Sequence, residues 1–396
     1  MDVRESVRKG LVPLPAIGTV THNANEVPRF IVEIDDRQVE PICAYLGELA
    51  LADGSPLTSK SYAYDLLRWW RLLALLDVAW DRAGRGEVEL LVGWMRSATN
   101  PQRRRTVAGR QAGSVNLRTG KQALRAGYAP STINHQLTVL AEFYDFHRLF
   151  DRGPQHNPVP VPQRRREGLA HRSPMEPVPG FRRAPLRQKM PKRAPRSIPD
   201  ALWDELFASM GNDRDRALLA FYVSSGARAS ELLELIGERV DWGCQQIWVV
   251  SKGSRDLSMI PGSPDAFAYL ARYFDVFGTP GPAERVWRTM RGEPRPLTYW
   301  AMRRVMQRAN EKLGTNWSLH DLRHTAATRM ATDPALTLPE VQTIMRHRHL
   351  ATTEAYLQPR VEELHDKLQE HFRRSRSKPS YVAGYQAEDI TTVFGE

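Results

Sequence analysis

The chain has 396 residues, 41% of them hydrophobic, which is enough for two ordinary cores and argues against disorder over most of its length. A formal net charge of +11 suits a polyanionic partner bound in a salt-dependent way, although basic charge alone also occurs in membrane-associated and merely soluble proteins. Two cysteines, Cys43 and Cys244, stand far apart with no CxxC, which argues against a disulfide framework or a cysteine zinc site and fits a reducing cytoplasm. Met1 to Ala16 has no apolar run of signal-peptide length, and nowhere do ~18 apolar residues follow one another, so a soluble intracellular protein without a membrane partner is expected.

Residues 1–27 contain Pro, Gly and Asn without periodicity and read as a loose leader. Arg29 to Ile34 reads as a short strand. Helices follow at Gln38–Leu51, where Val39, Ile42, Leu46 and Leu49 recur at gaps of three and four, then at Ser59–Leu76 and Glu87–Met95. Asn100 to Gly127 breaks the pattern with Arg103, Arg104, Arg105, Arg110, Arg118, Lys121 and Arg125 among small residues. Ser131 to Leu149 is helical again, so four helices with one basic insertion make a bundle over 28–150.

Residues 151–196 read as a basic, Pro-rich linker with little apolar content, a charge run expected to contact the phosphates of a polyanionic partner. A second domain opens at Ser197-Ile198-Pro199-Asp200, a start that looks like a capping box. A helix from about Asp213 ends by Gly226, and Gln246–Val250 and Leu257–Ile260 read as strands joined by a turn containing Gly253-Ser254. Helices are expected over 265–277, 298–313 and 320–332, and Thr337-Leu338-Pro339-Glu340 caps another whose apolar face is Val341, Ile344 and Met345. The fold class is therefore mainly α with a small antiparallel β-sheet (α+β).

The residues that carry chemistry lie in this second half. Arg228, in Gly226-Ala227-Arg228-Ala229-Ser230-Glu231-Leu232, follows one helix and precedes another, near backbone N–H groups that favour phosphate. His320 and Arg323, three apart in His320-Asp321-Leu322-Arg323-His324, share a helix face. Lys252 sits after a strand and before Gly253, with Arg255 as a nearby competitor. His347 and Tyr356 are nine apart, about two and a half turns, so a helix break is needed before both can reach one phosphate. Thr352 or Thr353 could N-cap a new helix with Tyr356 in its first turn. Guanidinium groups stabilise charge building on non-bridging oxygens, and an ammonium can protonate a departing alkoxide. The set suits attack of a phenol on a phosphodiester without metal or nucleotide cofactor.

The order and context of these residues resemble the tyrosine recombinase (phage integrase) family from about Ser197 to Pro359, and the family's His-x-Leu-Arg-His pattern is met at every specified position. The resemblance implies that Tyr356 attacks the scissile phosphate while Arg228, Arg323, His320 and His347 stabilise the transition state, with His320 also accepting the proton. It implies that Lys252 reaches the leaving 5′ oxygen, that Glu231 orients the site, and that His324 supports it without being essential. Arg346 departs from the family, which commonly has glycine there; His349 is a rival to His347 that fits the family spacing less well.

The resemblance further implies an N-terminal SAM-like core-binding domain over 28–150, a catalytic domain over 197–360, and a helix and tail over 361–396. Leu364, Leu368 and Phe372, four apart, would let that tail dock on a neighbouring copy. The implied partners are duplex DNA with paired recombination sites and three further copies in a tetramer, with an accessory DNA-bending or directionality factor left open. The expected activity is site-specific recombination that cuts and rejoins DNA through a 3′-phosphotyrosyl intermediate, for a phage, integrative element or transposon, in the cytoplasm and associated with the nucleoid. A chromosomal resolver, a type IB topoisomerase-like enzyme and a catalytically silent DNA-binding relative are the alternatives. A metal hydrolase is disfavoured, since no carboxylate cluster accompanies His347 and His349.

Overall fold

The computed structural model describes residues 2–23, 26–101, 112–160, 184–190, 195–251, 256–357 and 365–373 (backbone only at 365–367). The chain divides into two compact units, Met1–Lys192 with Gly314–Asn316, and Arg193–Leu313 with Trp317–Glu396.

In the first unit, the segment read as a loose leader is folded. Helix α1 (Val3–Arg8) is N-capped by Asp2, whose carboxylate accepts from the Arg4 N–H at 3.2 Å, and it buries Val7 completely. It packs on α4 (Arg85–Ser97), where Gly93 admits it closely: a Cβ there would lie 3.0 Å from Arg8 Cγ. Strand β1 (Thr19–His22) then pairs antiparallel with β2 (Phe30–Ile34), which pairs with β3 (Arg37–Gln38). One buried valine and four alternating residues give too weak a periodic signal; tertiary contact supplies the rest.

The helices α2 (Glu40–Leu51), α3 (Pro56–Leu76), α4 and α5 (Pro130–Leu149) fall where the apolar spacing puts them. Their core holds Ile42, Leu46, Leu66, Trp69, Leu72, Leu91, Phe143 and Tyr144, each removed from water. Polar tips are satisfied in a chain: Trp69 Nε1 donates to the Tyr144 hydroxyl at 2.9 Å, which donates to the Trp80 carbonyl at 2.9 Å. Parts of the expected linker also pack here. Val159 is buried, Asn157 Nδ2 donates to the Ala141 carbonyl at 2.8 Å, and Arg187 Nη2 donates to Thr138 Oγ1 at 2.8 Å, so Arg187 is engaged with α5. Arg103, Arg104, Arg105, Arg110, Arg164, Arg165 and Arg166 lie outside the described residues.

The second unit begins with α6 (Asp200–Ala208), whose N-cap is Pro199; Ser197 makes no cap, and the expected capping box is absent at this start. Asn212 caps α7 (Asp213–Ser225) by accepting from the Asp215 N–H at 2.9 Å, and Gly226 ends that helix at φ 60°. The short α8 (Ala229–Leu233) follows. A second antiparallel sheet joins β4 (Val240–Asp241), β5 (Gln246–Val250) and β6 (Leu257–Pro261), with Ile247, Val249 and Ile260 facing the core. Among the described residues two small antiparallel sheets stand, one in each unit, where a single sheet was expected. Helices α9 (Pro264–Phe277), α10 (Tyr299–Leu313) and α11 (Leu319–Thr332) complete a core around Phe221, Tyr222, Trp287 and Leu322.

Helix α12 (Leu338–Met345) carries the expected capping box: the Thr337 hydroxyl and N–H both donate to Glu340 Oε2 at 2.6 Å. Helix α13 (Leu350–Glu354) and α14 (His365–Arg373) follow. Among the described residues no helix is long and apolar enough to cross a membrane.

Candidate active site

Three helix junctions of the second unit meet at one place. The first is the α7–α8 junction. Arg228 is the N-cap of α8, with extended backbone at φ −76° and ψ 153°. Its Nη1 donates to Glu231 Oε1 at 2.6 Å, its N–H donates to Glu231 Oε2 at 2.8 Å, and its Nη2 reaches the Arg346 carbonyl at 3.4 Å. The Glu231 side chain is fully buried, and the expectation that it orients rather than reacts fits these bonds.

The second is the face of α11. Arg323 is buried, and its guanidinium donates to the Gly226 and Met345 carbonyls, so one side chain ties the C-termini of α7 and α12 together. His320 and His324 sit one turn apart with ring centroids 4.1 Å from each other. His324 Nδ1 lies 2.8 Å from the Tyr356 hydroxyl. The ring whose nitrogen lies within hydrogen-bond distance of the phenol is therefore His324, and the His320 ring packs against it.

The third is the end of α12. His347 Nδ1 is 2.9 Å from Thr353 Oγ1, and its ring stacks on that of Tyr356 at 6.1 Å with 4° between planes. The required break between His347 and Tyr356 is present, with one correction to its form. The cap of α13 is His349, and Tyr356 follows that helix by way of Ala355 instead of lying in a first turn capped by Thr352 or Thr353. Thr353 is buried as the partner of His347. Tyr356 packs with Ala327, Val341 and Met345.

The electrostatics follow from burial among arginines. Burial, then Arg228 and Arg346, lower the Arg323 pKa to about 10, which leaves it charged at neutral pH. Burial, then Arg323, Arg228 and Arg346, lower His347 to about 4, so the free site holds a neutral imidazole. Burial raises the Tyr356 phenol and the Arg323 charge partly offsets it. Burial alone would raise Glu231, but Arg346, the Arg228 N–H and the Arg228 guanidinium bring it below the ordinary carboxylate value.

Arg228, His320, Arg323, His347 and Tyr356 are thus brought together, while Lys252 and its competitor Arg255 lie outside the described residues. The sequence motifs do not carry the His324 contact with the phenol; they mark Arg346 only as a departure from the family pattern and Thr353 only as a candidate helix cap. The left-handed backbone of Arg346 and the burial of Thr353 carry no signal in a single sequence. Among the described residues no group of three or more His, Cys, Asp or Glu side chains is arranged to hold a metal ion.

Residues 200–363 match the model of the phage integrase family. Tyrosine recombinase XerD of Pseudomonas aeruginosa is 31% identical over 189 residues, covering 44% of this chain and 62% of that protein. Tyrosine recombinase XerA of Pyrococcus horikoshii is 27% identical over 184 residues, covering 46% of this chain and 63% of that protein. The match therefore spans less than two thirds of either relative.

Among solved structures, a lambda integrase dimer bound to a core site superposes with a TM-score of 0.53 at 13% identity, covering 87% of this chain and 98% of that one. The Tn1549 transposon integrase in complex with transposon right end DNA gives 0.52 at 14% identity, covering 83% and 98%. At such identities the likeness is one of fold. The chain carries a phage integrase family domain over residues 200–363.

Proposed function

We propose that this protein is a site-specific DNA recombinase that cuts and rejoins duplex DNA through a 3′-phosphotyrosyl intermediate, in the service of a phage, integrative element or transposon. One observation carries the reading: a buried phenol, Tyr356, hydrogen-bonded to His324 at 2.8 Å and stacked on His347, within the field of Arg323.

The chemistry follows from those positions. The Tyr356 oxygen attacks phosphorus, the P–O5′ bond breaks, and a tyrosyl phosphate ester forms at the 3′ end. The raised pKa keeps the phenol protonated at rest, so its proton must leave during attack. His324 is the acceptor within hydrogen-bond distance, and the His320 ring packed against it stabilises the imidazolium that results. Arg228 and Arg323 take up the charge that builds on the non-bridging oxygens. His347, neutral in the free site and engaged through Nδ1, gains basicity as the phosphate anion arrives and so becomes a donor to it. Lys252 gives its proton to the departing 5′ alkoxide. The phosphotyrosyl ester keeps the bond energy, and a partner strand's 5′ hydroxyl religates by the reverse steps.

The first unit then serves as the core-binding domain, with the basic segments of 103–125 and 151–196 meeting phosphates. Exposed Leu368 and Phe372 on α14 support a tail that docks on a neighbouring copy in a tetramer on paired sites. The reading is tested with a nicked suicide duplex whose 5′ fragment dissociates after cleavage. Wild type should accumulate a covalent protein–DNA adduct and Tyr356→Phe none, with both binding the site; equal yields would reject it.

A further inference from the structure

Helix α12 ends in a Schellman motif: the His347 N–H donates to the Gln342 carbonyl at 3.1 Å and the Arg346 N–H to the Thr343 carbonyl at 3.0 Å. The residue in the left-handed position of that motif is Arg346, at φ 52° and ψ 47°. Glycine takes this conformation without penalty, whereas a residue with a Cβ is strained in it. A strained residue persists where its side chain is held by its surroundings, and such positions cluster at functional sites.

The Arg346 side chain is held. Its Nη2 lies 2.7 Å from Glu231 Oε2, its Nη1 donates to the Ile344 carbonyl at 2.9 Å, and the side chain is only 12% exposed. Glu231 is therefore gripped from two sides, by Arg228 on Oε1 and by Arg346 on Oε2. Among the described residues the Arg346 Nε is a buried donor with no hydrogen-bond partner. Arg228, Arg323 and Arg346 together set three positive charges against the one carboxylate of Glu231. A half-buried array with that surplus suits an added anion.

We propose that Arg346 is a third guanidinium of the phosphate site, a positioning residue that locks Glu231, and through it Arg228, while adding positive charge where the scissile phosphodiester binds. The inference rests on the recombinase reading. Its role is distinct from that of a simple counter-ion to Glu231, which would hold the fold but leave the reaction unaffected. Its charge also acts on His347, whose ring is faced by Arg323 from α11, Arg228 from the start of α8, Arg346 from the preceding position at the end of α12, and the Tyr356 ring and Thr353 hydroxyl from the α13 segment.

The test compares Arg346→Gly and Arg346→Lys with wild type. Glycine suits the backbone at this position, so Arg346→Gly should fold and melt close to wild type. It should bind the duplex site within about threefold, yet cleave a suicide substrate in single turnover some 10- to 100-fold more slowly, the signature of an interaction made in the transition state. The His347 ring, followed by NMR in the free protein, should titrate above its wild-type value of about 4 by a modest step, because burial, Arg323 and Arg228 lower it more than Arg346 does. Arg346→Lys keeps the charge without the fork, so it should restore the low His347 titration and only part of the rate. Cleavage within twofold of wild type, or a His347 titration unmoved in Arg346→Gly, would overturn the proposal. If wild type itself forms no adduct, the recombinase reading fails, while the NMR titration still decides whether Arg346 acts on the site.

Discussion

Gly226→Ala tests how the fold sets the geometry of the site. Gly226 ends α7 in the left-handed conformation at φ 60°, and a Cβ built on it would sink into Met345 Sδ and lie 3.6 Å from Ala326 Cβ. Alanine costs about 1–2 kcal/mol for the backbone conformation alone. Crowding a packed contact adds roughly 1–3 kcal/mol, because Met345 is fully buried and has little room to move. The sum, about 2–5 kcal/mol, should lower the melting temperature by roughly 5–15 °C for a domain of this class. The same displacement disturbs both carbonyls that anchor Arg323, those of Gly226 and Met345. Single-turnover cleavage, measured well below the variant's melting transition, should therefore fall about tenfold or more, equivalent to ~1.4 kcal/mol. In the double variant Gly226→Ala/Met345→Ala, the crowding is removed, so its destabilisation should be smaller than the sum of the two single changes. A Gly226→Ala protein that melts and cleaves like wild type would refute this reasoning.

Three further outcomes are expected. Lys252→Ala should cleave an ordinary phosphodiester slowly but recover on a 5′-bridging phosphorothiolate, whose leaving group needs no proton; recovery in Arg255→Ala instead would move the role to Arg255. Because His347 binds a proton near 6.5 when unfolded and near 4 when folded, stability is lost as pH falls from about 6.5 to 4, and His347→Asn should flatten denaturant midpoints across that window. Val7→Ala, which empties a fully buried position between α1 and α4, should cost about 2 kcal/mol in denaturant unfolding of the first unit, whereas a change near zero would mean that α1 does not bear on its core.

Helices with a full apolar stripe were legible in the sequence, because Ile42 and Leu46 in α2, and Ile133, Leu137 and Leu140 in α5, recur at the helical period and each is buried. So were stops and starts with their own chemistry, such as Gly226 and the Thr337–Glu340 box. The terminal α1 and β1 were not, since each is too short to show a period and is held by contacts made elsewhere in the chain. Arg228, Arg323, His320, His347 and Tyr356 stood out because the motifs around them resemble those of the tyrosine recombinase family; spacing by itself gave only a shared helix face for His320 and Arg323 and a break between His347 and Tyr356. The place of Tyr356 after α13, and the contact it makes with His324, depend on how two distant segments pack, which spacing does not record. Arg346 was visible only as an arginine in an unusual place; its left-handed backbone and its hold on Glu231 emerge from the fold.

The central claim is that Tyr356 forms the covalent bond to DNA. The direct measurement is to trap wild-type protein on a nicked suicide duplex, digest the DNA to a short remnant and the protein to peptides, and locate the nucleotide mass by tandem mass spectrometry. The remnant is expected on the peptide containing Thr352 to Leu357, at the Tyr356 oxygen. A remnant on Tyr381, Tyr385 or any other residue would contradict it.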